Sequence, residues 1–383
     1  MAEAKLKILF ISSWYPHKFR PLNGIFVKRH AAANTLDCDV SALFVCSAES
    51  NSIEESVEDG IYTLRGYYKK PALKAFKFVS YLLMWKRVLT VYKNKKGKPD
   101  LVNANIVYPV SIIAKWVKRM WGTPYIITEH CTFYFPEDGR YKGFIVKSIS
   151  RSGVAGAAAV VTVSHKLSKA MQSLSLKNNY FIIPNVVDTK IFTIGRRAKH
   201  EHFNFLHISS LDEEQKNITG IIRTFKKFHT EHPNSKLTIV WDEEQKDLID
   251  AIRKKEPFSE DIGIFLQGKK TGAALAELFQ NADAFILFSN YENLPVVMLE
   301  SFCCGVPVIA TRVGDVPEYI DEKNGILIDP KNESQLFEEM QKIYSNVKNY
   351  NPGEIRNAIV DKVSPAVISK QFRDIYKMCL NKK

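Results

Sequence analysis

The sequence predicts an α/β protein of two doubly wound domains, each a parallel sheet with helices on both faces. At 383 residues the chain is too long for one ordinary hydrophobic core. Short, almost continuously apolar segments alternate with helical ones, as is typical of parallel strands buried on both sides. The alternation completes one cycle near Asp188–Phe192 and then begins again. We therefore expect an N-terminal domain at 1–188, a C-terminal domain at 189–364 and a closing helix at 365–383.

The predicted strands form two sets, and helical segments such as GIFVKRHAAANTL connect them. The first set is KILFIS, VSALFVC, DLVNANI, PYIITEH, AAVVTVS and YFIIPNVVD, and the second is FNFLHIS, KLTIVW, IGIFLQG, AFILFS, VPVIAT and GILIDP. The final segment, SPAVISKQFRDIYKMCL, has the pattern of an amphipathic helix, which we expect to pack back toward the N-terminal domain. Ligands of doubly wound folds bind beyond the carboxyl ends of the strands, so the site is expected in the loops there.

Composition is typical of a soluble globular protein, with 45% hydrophobic and 25% charged residues. No apolar run approaches the roughly 18–20 residues that a membrane-spanning helix needs. The opening MAEAKLKILFISSWYPHK is interpreted as a buried first strand rather than a signal peptide, because a proline follows quickly and no cleavage site of small residues appears. The six cysteines lack metal-ligand spacing, which favours free thiols in a reducing cytoplasm.

The positive charge is concentrated in the first half of the chain. Residues 1–190 contain 28 Lys or Arg against 13 Asp or Glu, whereas the remainder contains 26 against 28. The segment Arg65–Lys98 carries eleven basic residues and no acid. Apolar residues predicted to share one side of a helix in it are Phe76, Val79, Leu83 and Trp85.

A basic, aromatic-rich amphipathic helix of this kind is typical of a membrane-surface element. A solvated basic face over an ordinary core helix fits the pattern equally well. Nucleic acid is a third interpretation, but no recognition motif accompanies the charge, and we expect no nucleic acid partner.

The most informative stretch is YENLPVVMLESFCCG, in which two glutamates lie eight positions apart. Pro295 suits a helix start and Gly305 a C-terminal cap, which predicts a helix from about Pro295 to Cys304. Glu292 then precedes the helix, and Glu300 lies about a turn and a half inside it. The N–H groups at a helix start bind phosphate, and carboxylates accept hydrogen bonds from vicinal hydroxyls. These features describe a nucleotide-sugar site; the alternative is an exposed loop glutamate and a surface glutamate of an amphipathic helix.

The residues around this stretch carry a family resemblance. The pattern E-x7-E followed by CGVPVIATRVGDVPEYIDEKNGILI resembles the retaining glycosyltransferases of family four, which have the GT-B fold of two Rossmann-like domains facing a central cleft. The matching positions are Glu292, Glu300, Gly305, Pro307, Val308, Gly314, Pro317, Glu318 and Gly325. IPNVVDTKIF resembles the interdomain segment of the family, through Pro184, Asn185, Asp188 and Phe192. The resemblance covers nearly the whole chain and is weakest from about residue 40 to 120.

The resemblance implies roles for particular residues. Glu300 would hold the ribose, while Glu292 and His130, at the end of ITEH, would hold the donor sugar. His130 would act as a neutral imidazole that hydrogen-bonds a hydroxyl rather than as a base. Lys216 would balance the charge of the leaving diphosphate, and Gly24 would lie near the diphosphate or the acceptor. Further donor contacts are expected at Ser210, Asn293, Leu294 and Pro295.

Several positions depart from the family pattern. Ser210 stands where the family has an arginine, and Trp241 where it usually has a glycine that opens a loop against the nucleotide. Asn103 and Asn105 stand where many members have histidines, and Asp315 replaces a second glycine. The identity of the donor therefore does not follow from the resemblance.

The resemblance implies a retaining, nucleotide-sugar-dependent glycosyltransferase of hexosyltransferase type, acting on a hydroxyl of a glycan or lipid-linked glycan. In the front-face mechanism suggested for such enzymes, the leaving phosphate oxygen takes the acceptor's proton. No cofactor and no metal are expected, because Lys216 and the helix start balance the leaving group's charge and because Asp37 and Asp39 fit a turn. The expected setting is polysaccharide, lipopolysaccharide or capsule biosynthesis, with the enzyme in the cytoplasm and peripheral on the inner face of the membrane through Arg65–Lys98.

Two rival functions remain open at the level of sequence. A nucleotide-sugar epimerase or hydrolase of the same fold would act on its donor without an acceptor. A non-catalytic glycan- or membrane-binding protein would keep the fold without turnover, and Ser210 and Trp241 favour that alternative.

Overall fold

The computed structural model describes residues 5–195, 201–241 and 246–381. The chain divides into two compact units: Met1–Val186 with Pro365–Lys383 form the first, and Val187–Ser364 the second. No helix in the three described stretches has the length and apolarity that crossing a bilayer requires.

The first unit is an α/β structure whose described residues form an eight-stranded sheet. Its strands are β1 (Leu6–Ser12), β2 (Cys38–Ala48), β3 (Ser52–Glu58), β4 (Ile61–Lys69), β5 (Leu101–Asn105), β6 (Tyr125–Glu129), β7 (Val160–Thr162) and β8 (Tyr180–Ile182). Their order is β3-β4-β2-β1-β5-β6-β7-β8, and every pairing is parallel except that of β3 with β4. The connecting helices are α1 (Ile25–Asn34), α2 (Lys77–Lys96), α3 (Val107–Trp121), α4 (Phe144–Gly156) and α5 (His165–Ser173).

The antiparallel hairpin of β3 and β4 has no counterpart among the predicted strands, and it corrects the interpretation of the segment Arg65–Lys98. The first part of that segment is strand β4, and Arg65 is buried in it. Its guanidinium donates to the main-chain oxygen of Pro16 at 2.8 Å, to Ser56 Oγ at 2.8 Å and to Glu58 Oε1 at 3.0 Å. Arg65 therefore holds the first unit together and does not face a membrane.

The apolar residues that were predicted to share one side of a helix differ in their burial. Phe76, Val79 and Leu83 are exposed, whereas Trp85 is fully buried. The prediction is wrong for Trp85 because residues two positions apart on a helix do not face the same way. The buried residues of α2 are Met84, Trp85, Val88, Leu89 and Tyr92.

The second unit is also an α/β structure, and its described residues form a sheet of six parallel strands. The strands are β9 (Phe203–Ile208), β10 (Ser235–Val240), β11 (Ile264–Gln267), β12 (Ala284–Leu287), β13 (Val308–Thr311) and β14 (Gly325–Ile328), in the order β11-β10-β9-β12-β13-β14. The helices are α6 (Glu213–Lys216), α7 (Ile218–Glu231), α8 (Lys246–Lys255), α9 (Gly272–Gln280), α10 (Val296–Cys303), α11 (Glu333–Asn346) and α12 (Pro352–Val363).

Helix α10 is one residue shorter at each end than predicted. Pro295 is its N-cap, with φ −69° and ψ 121°, so the proline precedes the helix instead of opening it. Gly305 has φ +71°, the left-handed conformation that glycine adopts readily after a helix. Glu300 is 1% exposed. The alternative that Glu300 is a surface residue is therefore wrong.

The C-terminal helix α13 (Pro365–Asn381) packs against α1 in the first unit. Asp37, which precedes β2, accepts hydrogen bonds from Ser369 Oγ at 2.7 Å and from Arg373 Nη1 at 2.8 Å. Phe372 and Tyr376 are fully buried on the same helix. Two doubly wound α/β units confirm the predicted fold class.

Candidate active site

Glu292 and Lys216 form an ion pair at the carboxyl end of the second unit's sheet. Glu292 lies in the loop after β12, and Lys216 ends the short helix α6 after β9; the two strands are neighbours. Glu292 Oε1 also accepts a hydrogen bond from Ser289 Oγ at 2.9 Å. The side chains of Lys216 and Glu292 are only 13% and 6% exposed. The fold thus brings together two of the residues that were predicted for the site.

The main chain of Glu292 and Asn293 is held by the loop after β13. Gly314 has φ +59°, and a Cβ there would overlap the main-chain oxygens of both residues and lie 2.9 Å from the Glu292 carbonyl carbon. The N–H of Asp315 donates to the Asn293 main-chain oxygen at 3.1 Å. Gly314 is therefore required for a close approach of two main chains, which only glycine permits.

The loop that carries Lys216 is tied by main-chain groups to the loop that carries Glu292. The N–H of Asn290 donates to the main-chain oxygen of Gln215 at 2.7 Å, and its Nδ2 donates to that of Glu214 at 2.8 Å. Gln215 Nε2 also lies 3.5 Å from Glu292 Oε2. The ammonium group of Lys216 is thus positioned by the fold and not by a surface loop of its own.

His207, on β9, is a buried residue of this region that the sequence patterns did not single out. Its Nδ1 donates to the Ile286 main-chain oxygen at 2.9 Å, which leaves Nε2 to accept from Ser209 Oγ at 2.8 Å. Burial lowers the pKa of His207 to about 4; the hydrogen bond to Ile286 opposes this shift, and the nearby Lys216 charge adds to it. A neutral imidazole therefore links the ends of β9 and β12. The available signal was a histidine at the end of an apolar strand.

The remaining predicted donor residues of this unit fall into two groups. Asn293, Leu294 and Pro295 are buried beside Glu292 in the chain, just before α10. Ser210 is exposed and lines a cavity of about 480 Å³ together with residues of α8 and with Glu213 and Glu214 of α6. The assignment of Ser210 to the donor stays a prediction.

Trp241 follows β10 and is partly buried against the core of the second unit. The main-chain N–H of Trp241 donates to the Gln267 main-chain oxygen at 3.1 Å. The start of the loop that the family opens against the nucleotide, residues 242–245, lies outside the described residues.

In the first unit, Glu129 holds the chain on which His130 lies. The Glu129 carboxylate is fully buried and accepts three main-chain N–H hydrogen bonds, from Val107 at 2.8 Å, His130 at 2.9 Å and Cys131 at 3.0 Å. Burial raises the pKa of Glu129, and the three N–H donors oppose that rise. One carboxylate thus positions both the start of α3 and the end of β6. Sequence reasoning missed this role, although an acid at the end of an apolar strand was a visible signal.

His130 is a buried, neutral histidine. Its Nε2 lies 3.2 Å from Asn105 Oδ1, and its ring centroid is 4.7 Å from that of Phe26 and 5.2 Å from that of His30. Burial lowers the pKa of His130 well below its ordinary value, and His30 lowers it further, while a hydrogen bond with Asn185 raises it. The ring therefore carries no charge at neutral pH.

Asn103 and Asn105, which replace histidines of the family, are fully buried members of the same polar cluster. Asn103 Oδ1 accepts from Thr128 Oγ1 at 2.7 Å, and its Nδ2 donates to the Tyr376 hydroxyl at 3.0 Å. Asn105 Nδ2 donates to the Asn103 main-chain oxygen at 3.1 Å. These side chains connect β5, β6 and α13 beneath His130.

Gly24 caps α1 and lies close to the chain that follows β1. It has φ +65°, and a Cβ there would overlap the Trp14 carbonyl and lie 2.8 Å from the Tyr15 nitrogen. The Trp14 ring meets Phe26 edge-on at 6.3 Å between centroids, and Phe26 in turn contacts His130. Gly24 and His130 therefore belong to one cluster in the first unit. Nowhere in the described residues do three or more His, Cys, Asp or Glu side chains form a group that fits a metal ion.

Comparison with known families matches both halves of the chain. Residues 30–191 match the family described as Glycosyltransferase Family 4, and residues 194–354 match Glycosyl transferases group 1. The chain is 23% identical over 362 residues to TuaC of Bacillus subtilis (strain 168), a glycosyltransferase named for teichuronic acid biosynthesis, across 87% of this chain and 88% of that protein. It is 27% identical over 293 residues to N-acetyl-α-D-glucosaminyl L-malate synthase of Bacillus anthracis, across 72% of this chain and 74% of that protein.

Solved structures align over nearly the whole length of the chain. Sucrose-phosphate synthase from Thermosynechococcus elongatus aligns with a TM-score of 0.80 at 15% identity, over 98% of this chain and all of that one. Anabaena HepE in complex with UDP aligns with a TM-score of 0.74 at 15% identity, over 97% of this chain and all of that one. At these identities the likeness shows the fold alone. From the two family matches and this fold, we identify the chain as a glycosyltransferase of the family-four type, with the GT-B fold.

Proposed function

We propose that the chain transfers a sugar from a nucleoside diphosphate to a hydroxyl of a glycan or lipid-linked glycan, with retention at the anomeric carbon. The observation that carries the proposal is the ion pair of Lys216 and Glu292 next to the start of α10. It offers a cation for a diphosphate and a carboxylate for hydroxyls at one place. Solved neighbours whose complexes contain UDP, UDP-glucose or ADP support a nucleotide-sugar donor.

Lys216 is assigned to the leaving diphosphate. As the bond between the anomeric carbon and the phosphate oxygen breaks, charge grows on that oxygen, and a fixed ammonium group in a poorly hydrated place stabilises it. The acceptor oxygen bonds to the anomeric carbon from the same face, and its proton passes to the leaving phosphate oxygen. Because the loop of Lys216 is held by main-chain hydrogen bonds, little reorganisation is needed when the charge develops.

The two glutamates are assigned to hydroxyls of the donor. Glu300, buried on α10, accepts from the ribose hydroxyls, and Glu292 accepts from the sugar. Hydrogen bonds to a charged acceptor are worth about 1.5–3 kcal/mol each, so such contacts add much to donor affinity. Asn293, Leu294 and Pro295 supply the main chain that approaches the phosphates.

In the first unit, His130 is assigned to a hydroxyl of the donor sugar, and the cluster around Gly24 to the diphosphate or acceptor. The lowered pKa of His130 supports a hydrogen-bonding role, because an imidazole with a low pKa is a weak base. Glu129 then acts as a positioning residue, since it holds the main chain of His130.

We further propose that the first unit meets its acceptor at an anionic membrane, on the inner face of the cytoplasmic membrane, in polysaccharide, lipopolysaccharide or capsule synthesis. Helix α2 supports this, because Phe76, its N-cap, and Val79 and Leu83 within it are exposed near lysines of the helix. The relative named for teichuronic acid biosynthesis is consistent with a cell-envelope polymer as product.

Thermal stabilisation of the purified chain by UDP-, GDP- and ADP-sugars tests the proposal first. A ligand at 100 times its dissociation constant adds about 2.7 kcal/mol of stability. Proton NMR of the product then reports the anomeric configuration, and an inverted product contradicts retention. Donor breakdown or isomerisation that needs no acceptor would indicate the epimerase or hydrolase, and no stabilisation by any of the three donors would indicate a non-catalytic binding protein.

A further inference from the structure

We infer that the start of α4 is a second membrane contact of the first unit, in which Phe144 and Ile145 enter the headgroup region of an anionic bilayer. This inference rests on the proposed function for its membrane setting and deepens it. Neither residue belongs to the basic segment Arg65–Lys98 or to the donor site, so the two parts can be tested separately.

Phe144 and Ile145 protrude from the surface. Phe144 is 85% exposed and Ile145 68%, and no other large apolar side chain in the described residues is as exposed as Phe144. Gly143, which precedes them, has φ +88°, and a Cβ there would meet no atom within 4 Å. The chain therefore turns in open space and presents two adjacent apolar side chains to it. Exposed apolar residues are ordinary one at a time, but a paired and projecting set indicates a binding surface.

The sequence around this tip is basic. Lys142 and Arg151 are exposed and Lys147 is half-buried, and the chain contains no acidic residue from Gly139 to Val187. Ammonium and guanidinium groups at such a position are attracted to the negative surface of an anionic leaflet. The apolar side chains and the basic residues around them thus both favour an anionic bilayer.

Helices α2 and α4 begin at the same end of the first unit. They follow the carboxyl ends of β4 and β6, which are parallel within the sheet. Helix α2 connects β4 to β5 and α4 connects β6 to β7, and in both cases the chain moves toward the β8 edge of the sheet. Because crossovers between parallel strands are right-handed, two crossovers in the same direction put their helices on the same face of the sheet. The exposed apolar residues at the start of α2, including Phe76 and Val79, therefore lie at the same end of the same layer as the α4 tip. The starts of α2 and α4 can therefore contact the surface of one bilayer at the same time.

A bilayer fits these features better than a protein or a small molecule does. A stable protein interface buries about 800 Å² on each partner, which two projecting side chains do not supply. Small molecules bind in concave sites. Aromatic and aliphatic side chains flanked by lysines are instead typical of elements that lie in the membrane interface, where the lysine heads stay near the lipid phosphates.

Sedimentation of the full chain with vesicles of equal parts phosphatidylglycerol and phosphatidylcholine, at low salt, tests the inference. Phe144→Ser combined with Ile145→Ser is expected to weaken lipid binding about tenfold, because two apolar side chains no longer leave water. The matched control is Leu36→Ser with Val57→Ser, since these residues are 55% and 70% exposed and lie toward the opposite end of the sheet. The control is expected to bind like the wild type. Both pairs are expected to keep the wild-type stabilisation by nucleotide sugars.

A Phe144→Trp variant measures insertion itself. Its added fluorescence is expected to be quenched by lipids with brominated acyl chains, which a contact made only by charges would not cause. Unchanged binding of the Phe144 and Ile145 serine pair, or no quenching of the added tryptophan, overturns the inference.

The result for α2 separates this inference from the proposed membrane setting. If the serine pair binds normally while Lys77→Ser with Lys86→Ser weakens binding, the proposed setting stands and the α4 contact fails. If the wild type does not bind these vesicles, both fail. A wild-type dimer that the serine pair converts to a monomer would show that a second copy covers the tip, and would also overturn the inference.

Discussion

Gly314 lies against the main chain of Glu292 so closely that there is no room for a Cβ between the two loops. The contact joins the loop after β13 to the loop after β12, and the Asp315–Asn293 hydrogen bond of 3.1 Å lies beside it. The position of the Glu292 carboxylate therefore depends on a residue that carries no side chain.

Replacing Gly314 with alanine is expected to lower the free energy of unfolding by about 3 kcal/mol, since the left-handed backbone costs roughly 1–2 kcal/mol and the overlap adds a comparable amount. The displaced Glu292 should also weaken stabilisation by a nucleotide sugar. Gly122→Ala is the control, because Gly122 has φ +73° but a Cβ there meets nothing within 4 Å. Urea unfolding measures both variants, and equal losses would show that the Gly314–Glu292 contact has no special importance.

The Lys216–Glu292 pair is expected to behave as a buried pair. Lys216→Met leaves the Glu292 carboxylate without its cation and should cost about 3 kcal/mol of stability, whereas adding Glu292→Gln should restore part of that loss. Lys18→Met is the control, since Lys18 pairs with Glu54 at a site where both side chains are 40% or more exposed. The midpoint of chemical denaturation reports each variant. A double variant that is less stable by the sum of the single losses would mean that the two groups do not interact.

Glu300→Gln is expected to weaken nucleotide binding about tenfold or more and to abolish transfer, because a neutral amide is a poorer acceptor for the ribose hydroxyls. The substitution keeps the size of a side chain that is 1% exposed, so the fold should remain. Calorimetric titration with UDP, GDP and ADP measures the effect, with Glu339→Gln as a control at another buried glutamate of the same unit. An unchanged transfer rate in Glu300→Gln would remove Glu300 from the site.

Glu129→Gln is expected to destabilise the first unit by about 2–4 kcal/mol. The NH₂ group of the glutamine would face main-chain N–H donors that the Glu129 carboxylate accepts from in the wild type. A larger fall in transfer rate than in donor affinity is also expected, because His130 loses its fixed main chain. Glu137→Gln, at an exposed pair with Lys166, is the control. Wild-type stability in Glu129→Gln would contradict the positioning role.

Stability is expected to fall on acidification because of His207. Its pKa is about 4 in the folded chain against 6.5 for the free side chain, so the unfolded chain takes up the proton first. The stabilisation that neutral His207 contributes is complete above pH 6.5 and is lost as the pH falls toward 4. At pH 5 the loss is about 2 kcal/mol. Urea unfolding at pH 7 and pH 5 measures how much the free energy of unfolding falls between them. His207→Asn should make that fall smaller by about the same amount, and an unchanged fall would show that His207 does not cause it.

Several features followed from the sequence because they depend on a few neighbouring residues. The alternation of apolar and helical segments predicted the doubly wound class, since burial on both faces of a parallel strand requires a continuous apolar run. Pro295 and Gly305 placed the ends of α10 to within one residue, because their backbone preferences act locally. The family resemblance of the E-x7-E segment was also visible, and the two family matches confirmed it.

The tertiary structure alone decided which of these residues meet. Lys216 and Glu292 are separated by 76 positions and pair only because β9 and β12 are neighbours in the sheet. The burial of Arg65 depends on Pro16, Ser56 and Glu58, which no local pattern connects to it. Local sequence expresses the preference of a short segment for helix or strand, whereas the burial of a charge depends on partners from distant segments that can satisfy it.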